Sequence, residues 1–219
     1  MSRMLFEKTG NAVWISHLDL MRLFQRAFRR AGLPLTHSQG FNPRPSVSIA
    51  LPLSVGVESM CELLDFQLDG MEIPCEEIKN RLNENLIAGI TVRDVYDDGR
   101  KLRELVYLHS IVTLEYDNNV PVDAAKSIAG LFSRSELIVP KKTKNGIQDQ
   151  DLIPMIDTIT VSQIGEKEIV LDVIGFCQNP TLNPMQLAAA VKLHLPDIAP
   201  DFAKCRRIET LDGQKNVFR

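Results

Sequence analysis

Ser16-His17-Leu18-Asp19-Leu20-Met21-Arg22-Leu23-Phe24-Gln25-Arg26-Ala27-Phe28-Arg29-Arg30-Ala31-Gly32 is the stretch on which the fold turns. Leu20, Leu23, Phe24, Ala27, Phe28 and Ala31 recur at helical spacing and mark one buried stripe. Ser16, with Asp19 three residues on, forms a capping pair at the start. Gly32 stops the helix near Ala31, and Pro34 lies just beyond it. Residues 4–8 and 13–15 read as short strands on either side of the turn Thr9-Gly10-Asn11. Residues 47–51 and 61–68 read as two more strands, separated by the Pro- and Gly-marked stretch 52–58. Pro74 opens a second helix through about Leu86, on which Ile78, Leu82 and Leu86 face inward. Residues 91–96 close the unit as a strand.

Strand, helix, strand, strand, helix, strand is the split βαβ or ferredoxin-like order. Asp97-Asp98-Gly99-Arg100-Lys101 marks a boundary, and a similar order begins again after it. Strand 105–116, helix 122–132, strand 136–140, hairpin 156–162 with 169–174, helix 183–193 and strand 206–211 follow. The expectation is an α+β chain of two tandem ferredoxin-like units with antiparallel sheets, residues 1–97 and 103–219.

The 219 residues suffice for one large domain or two ordinary ones, and 44% hydrophobic with 24% charged residues is ordinary globular composition. A chain of this length buries roughly 70% of its unfolded surface. The formal charge of −3 conceals an uneven distribution. Residues 1–45 carry seven Arg or Lys against Glu7 and Asp19, whereas residues 58–84 carry eight acids against Lys79 and Arg81. A two-faced surface is expected, its basic face the one to meet a polyanion. No secretory pattern follows Met1, and no run reaches the ~18 apolar residues of a membrane span. Cys61, Cys75, Cys177 and Cys205 are too scattered for a clustered metal site. The expectation is a cytoplasmic protein with reduced thiols, no metal, no cofactor and no membrane partner.

Arg22, Arg26, Arg29 and Arg30 fall within about 100° of one another around the helix, opposite the apolar stripe. Such a face is either simply solvated or a ridge that tracks phosphates, and guanidinium groups suit the second role through bidentate contacts. Ser38-Gln39-Gly40-Phe41-Asn42-Pro43-Arg44-Pro45 follows closely. Two prolines fix φ and extend the residues before them, so the loop holds Gln39, Phe41, Asn42 and Arg44 outward with little freedom to lose. Arg44 extends the ridge and Phe41 offers a surface on which a base can stack. Lys141-Lys142-Thr143-Lys144-Asn145-Gly146 is a second basic element, on a hairpin-like loop, where Lys141, Lys142 and Lys144 are candidates for further phosphate contacts.

Catalysis finds less support. Ser16-His17-Leu18-Asp19 gathers a hydroxyl, an imidazole and a carboxylate, yet Ser16 serves as the cap, and His17 and Asp19 point to different sides of a helix. His37 beside Ser38 is no stronger, so no catalytic residue is assigned. An enzyme using His17 or His37 stands as the third alternative.

Three blocks of the sequence carry a resemblance. They are Ile15-Ser16-His17-Leu18-Asp19-Leu20-Met21-Arg22, then Arg29-Arg30-Ala31-Gly32-Leu33-Pro34, then the Ser38 to Pro45 loop. Leu51-Pro52-Leu53-Ser54-Val55-Gly56-Val57-Glu58-Ser59, Glu136-Leu137-Ile138-Val139 and Lys141-Lys142-Thr143-Lys144 extend it. Together they resemble the bacterial radical SAM-associated (radical SAM-linked) proteins of unknown function. The resemblance implies a radical SAM partner that brings the iron–sulfur cluster and S-adenosylmethionine, since this chain has no Cys-x-x-x-Cys-x-x-Cys motif. The combined expectation is a non-catalytic accessory module that binds RNA, tRNA or rRNA, and presents it to that enzyme. The alternative is an adaptor that docks the partner and binds no nucleic acid.

Overall fold

The computed structural model describes residues 1–70, 72–143 and 146–219. Contacts divide the chain into two units, Met1–Leu102 with Arg219, and Arg103–Phe218.

In the first unit, helix α1 (His17–Arg30) begins at Ser16, whose backbone is extended and whose hydroxyl oxygen accepts the Asp19 amide at 3.2 Å. Asp19 in turn accepts the Ser16 hydroxyl at 2.7 Å, so a carboxylate one methylene shorter than Glu closes the capping pair. At the other end, Gly32 takes φ +67°. The Leu33 amide reaches Phe28 O at 2.9 Å and the Gly32 amide reaches Arg29 O at 3.3 Å, the paired bonds of a Schellman stop. The left-handed Gly32 is what turns the chain back and buries Leu33 completely.

Between these ends Leu20, Phe24, Ala27 and Phe28 are buried. They face strands β1 (Ser2–Lys8) and β3 (Glu58–Phe66). Phe24 meets Phe6 edge-on, ring centroids 4.8 Å apart, and Phe28 meets Phe66 at 5.0 Å. Full burial of each large side chain stabilises by about 1.5–3 kcal/mol, so this seam fixes which face of α1 points outward. Strands β2 (Val47–Ile49) and β4 (Ile90–Tyr96) complete an antiparallel sheet ordered β4-β1-β3, with β2 paired to β3. Helix α2 (Cys75–Asn83) buries Ile78 and Leu82. The Asn83 amide group both donates to Val92 O and accepts from Val92 N, tying its end to β4.

Residues 13–15 are not a strand. Gly10–Trp14 form a 3-10 turn that buries Ala12 and Val13. Gly10 at φ +54° starts the tight turn, and the Ile15 amide closes on Ala12 O at 3.0 Å. The Ile15 carbonyl accepts from the Nζ of Lys8, a 1%-exposed ammonium, at 2.8 Å, so it has no strand partner to seek. Arg3 is likewise internal. Its Nε and Nη2 reach the Asp65 carboxylate at 2.6 and 3.1 Å, and its Nη1 donates to Arg100 O at 2.7 Å. Two of the seven basic residues behind the N-terminal charge excess are thus internal, and the outward charge resides on α1 and its loop.

The second unit places β5 (Leu105–Glu115), β8 (Ile156–Ile164), β9 (Glu168–Phe176) and β10 (Phe202–Asp212) in an antiparallel sheet ordered β10-β5-β9-β8. Helices α3 (Ala124–Phe132) and α4 (Met185–His194) bury Ile128, Leu131, Leu187 and Val191. Strand β6 (Ile138–Thr143) pairs with β7 (Gly146–Asp151) as a separate two-stranded sheet. The His194 ring hydrogen-bonds Ile138 O at 2.8 Å and ties this hairpin to α4. With the hairpin set aside, the strands of both units lie in the order fourth, first, third, second. The molecule is therefore a mixed α+β chain with antiparallel sheets.

Candidate anion-binding face on the first unit

Helix α1 presents Arg22, Arg26, Arg29 and Arg30 outward, all exposed, because its opposite stripe is held by Phe6 and Phe66. Arg22 Nη1 donates to Asp19 Oδ1 at 2.9 Å, both side chains more than half exposed. Hydrogen bonding from Ser16, then from Arg22, holds the Asp19 carboxyl below the usual carboxylate range. Arg29 and Arg30 sit in the last turn, where positive charge complements the helix dipole. Among the described residues, Arg26, Arg29, Arg30 and Arg44 make no side-chain hydrogen bond or ion pair.

Two concavities flank the ridge. One, of about 490 Å³, has a rim of Arg22, Arg26, Arg29 and His37. Pro34, Leu35 and Pro45 line its wall, backed by the buried Phe28 and Leu33. Among the described residues no Asp or Glu lines it. The other, of about 450 Å³, shares Arg22 and Arg26, adds Arg30, Ile15, Leu23 and Ile87, and contains Asp19. The carboxylate makes the second concavity the less favourable for an anion, and Arg26 stands on the crest between them.

The loop after α1 is built as a stiff wall. Leu35 bridges to Leu68, and the Thr36 amide donates to Gln67 O at 2.9 Å. His37 pairs with Pro45, and the Ser46 amide donates to Thr36 O at 2.8 Å. Ser38 closes the narrow end: its amide donates to Arg44 O at 2.8 Å and its hydroxyl accepts the Arg44 amide at 2.9 Å. Beyond this clamp the tip reverses direction at Gly40, whose φ of +130° disfavours a side chain. Gln39, Phe41, Asn42 and Arg44 are exposed there, Phe41 as fully as a free side chain.

The fold thus brings Arg22, Arg26 and Arg29 around one concavity, puts Arg30 on the other, and leaves the loop-tip residues outside both linings. His37, Pro45 and Gln25 join the site without having been expected there. Gln25 is one turn before Arg29 and was legible as part of the same face. Lys141 and Lys142 are exposed on β6 of the second unit, and Lys144 lies outside the described residues.

None of the four cysteines is in a disulfide, and three of them are buried. Burial pushes the Cys177 thiol up to about 11 and the Cys205 thiol up to about 12. Among the described residues no group of three or more His, Cys, Asp or Glu is arranged to hold a metal ion, and no helix is long and apolar enough to cross a membrane.

No curated protein matches the sequence. Among solved structures, a chain of the crystal structure of a Cbf5-Nop10-Gar1 complex superposes with a TM-score of 0.52 at 10% identity, over 95% of this chain and 48% of that one. The chain therefore spans about half the length of this structural relative, and the likeness is one of fold. Residues 2–184 match the family described as an uncharacterized protein conserved in bacteria (DUF2344), and the chain belongs to that family.

Proposed function

We propose that this chain is a non-catalytic accessory module that binds RNA through its first unit and presents it to a partner radical SAM enzyme in the cytoplasm. The observation that carries the RNA half is the outward ridge of Arg22, Arg26, Arg29 and Arg30. Three of its guanidiniums make no hydrogen bond or ion pair among the described residues, and the ridge borders a concavity with no carboxylate in its described lining. Charge left unneutralised at this density is costly to the isolated protein and favourable towards a polyanion. Phe41 at the loop tip supplies a stacking surface, with Gln39, Asn42 and Arg44 beside it. Lys141, Lys142 and Lys144 are assigned to further phosphate contacts. tRNA and rRNA are the RNA classes proposed.

The radical SAM half rests on the resemblance of the Ser16, Arg29 and Ser38 blocks, and on the missing cluster motif. The shared strand order of the two units supports reading them as tandem ferredoxin-like halves, residues 1–97 and 103–219.

Ultraviolet crosslinking in cells, followed by sequencing of the attached RNA, tests the proposal. Crosslinks on peptides spanning residues 22–45 with a defined RNA class support it. Absence of RNA, together with a radical SAM protein that co-purifies with the wild type and is lost on changing Phe41 and Arg44, selects the adaptor reading instead.

A further inference from the structure

The concavity beside Arg22, Arg26 and Arg29 has the dimensions of a small-ligand site. A groove that follows internal phosphodiesters meets one negative charge per nucleotide and is open along its length. Here Arg22, Arg26, Arg29 and His37 line a concavity of about 490 Å³, within the roughly 300–1,000 Å³ of small-ligand sites. The recess pairs this polar rim with a wall of Pro34, Leu35 and Pro45, against which a flat ring can lie. Its far side is the clamped segment from Thr36 to Ser46, so little ordering remains to oppose binding. Arg22 and Arg26, and Arg26 and Arg29, are four and three residues apart, close enough for one phosphate group to contact two of them.

We propose that this recess seats a single nucleotide bearing a terminal phosphate monoester, its phosphate against Arg26 and Arg29 and its base against Pro34 and Pro45. A monoester carries up to two negative charges and three terminal oxygens, against one charge and two such oxygens for an internal diester. The Arg26 and Arg29 guanidiniums therefore favour a phosphorylated chain end over the chain interior. The shared ligand chemistry is that of a 5′- or 3′-phosphorylated RNA end or of a free mononucleotide. The RNA-end source rests on the RNA-binding reading above.

Fluorescence anisotropy tests it with single-stranded RNA decamers labelled at the opposite end and carrying a 5′-phosphate, a 3′-phosphate or only hydroxyl ends. Adenosine 5′-monophosphate serves as competitor and adenosine as its control. The expected result is about tenfold tighter binding of one phosphorylated end than of the hydroxyl-ended decamer. Arg26→Ala abolishes the preference, and Arg26→Lys restores it only in part because an ammonium lacks the bidentate fork. Equal binding of all three decamers with AMP inactive overturns the end-recognition proposal and leaves RNA binding standing. Direct titration calorimetry that shows AMP bound and adenosine not, with no decamer bound in the anisotropy assay, retains the nucleotide pocket and overturns RNA binding. Neither decamer nor AMP binding overturns both.

Discussion

Arg22 Nη1 lies 2.9 Å from Asp19 Oδ1, one turn back along α1, whereas Arg26, one turn further on, makes no side-chain hydrogen bond or ion pair among the described residues. The ridge thus holds one guanidinium tied to its own chain and others left for something else. Arg29 and Arg30 have a local account in the helix dipole and Arg22 has one in Asp19. Arg26 has neither. It lines both concavities, which makes it the most diagnostic position on the molecule.

Arg26 has Arg22 four residues before it and Arg29 and Arg30 three and four after it, all of one sign. Like-charge pairs at this spacing destabilise a helix by roughly 0.2–0.5 kcal/mol each. Arg26→Gln is therefore expected to leave stability unchanged or raise it by a few tenths of a kcal/mol in urea unfolding, while weakening anion binding. A substantial loss of stability on this change would show that Arg26 serves the fold.

Asp19 acts as an internal counterion at the edge of the ridge. Asp19→Asn is expected to tighten binding of a polyanion and steepen its salt dependence, because Arg22 is released. Its folded carboxyl is held below its unfolded value, so its stabilising effect is present above the unfolded value and is lost as pH falls through the lowered folded one. Titration of the Asp19 side chain by NMR, in the wild type and in Arg22→Gln, checks the direction. The carboxyl should rise in the variant.

Arg3 and Asp65 face each other across β1 and β3, 6% and 16% exposed. Removing one partner of a buried pair strands the other charge, at a cost of about 3–5 kcal/mol. Arg3→Met is thus expected to lower the melting temperature markedly and leave ligand affinity unchanged at temperatures where the protein remains folded. Calorimetry with binding measured on the same sample separates the two effects.

Cys177 and Cys205 are raised to about 11 and about 12 from an ordinary value near 9. An acid weaker in the folded state favours folding below its unfolded value and loses that contribution as pH rises towards the folded one. Stability is expected to decline between pH 9 and about 11–12, and the decline should diminish in Cys205→Ala relative to its own neutral-pH stability. Neither thiol should react with iodoacetamide at pH 8 until the protein is unfolded.

What the sequence discloses is the part governed by local spacing. The Leu20, Phe24 and Phe28 stripe, the Ser16 cap and the Gly32 stop are all written in neighbouring residues, and α1 follows from them. Strand β7 escaped because Gly-Ile-Gln-Asp-Gln-Asp has no apolar face; among the described residues it pairs with β6 alone and lies largely exposed. The turn at Gly10–Trp14 escaped because Val13 and Ile15 read as β-formers, while the deciding feature is a buried Lys8 ammonium that claims the Ile15 carbonyl. Charge counting counted Arg3 as surface because its partner lies 62 residues away. The recess escaped for the same reason: His37 and Pro45 reach the arginines only after the chain folds back along Gln67 and Leu68.

The account's central claim is most directly tested by the salt dependence of RNA binding to the wild type and to the Arg26→Ala, Arg29→Ala double variant. For a single strand each phosphate contact contributes about −0.7 to the slope of log K against log salt. The account predicts a clear slope for the wild type that becomes shallower by about 1.4 in the double variant, with the fold intact by circular dichroism. A wild type with no salt slope, or two proteins with the same slope, would contradict it.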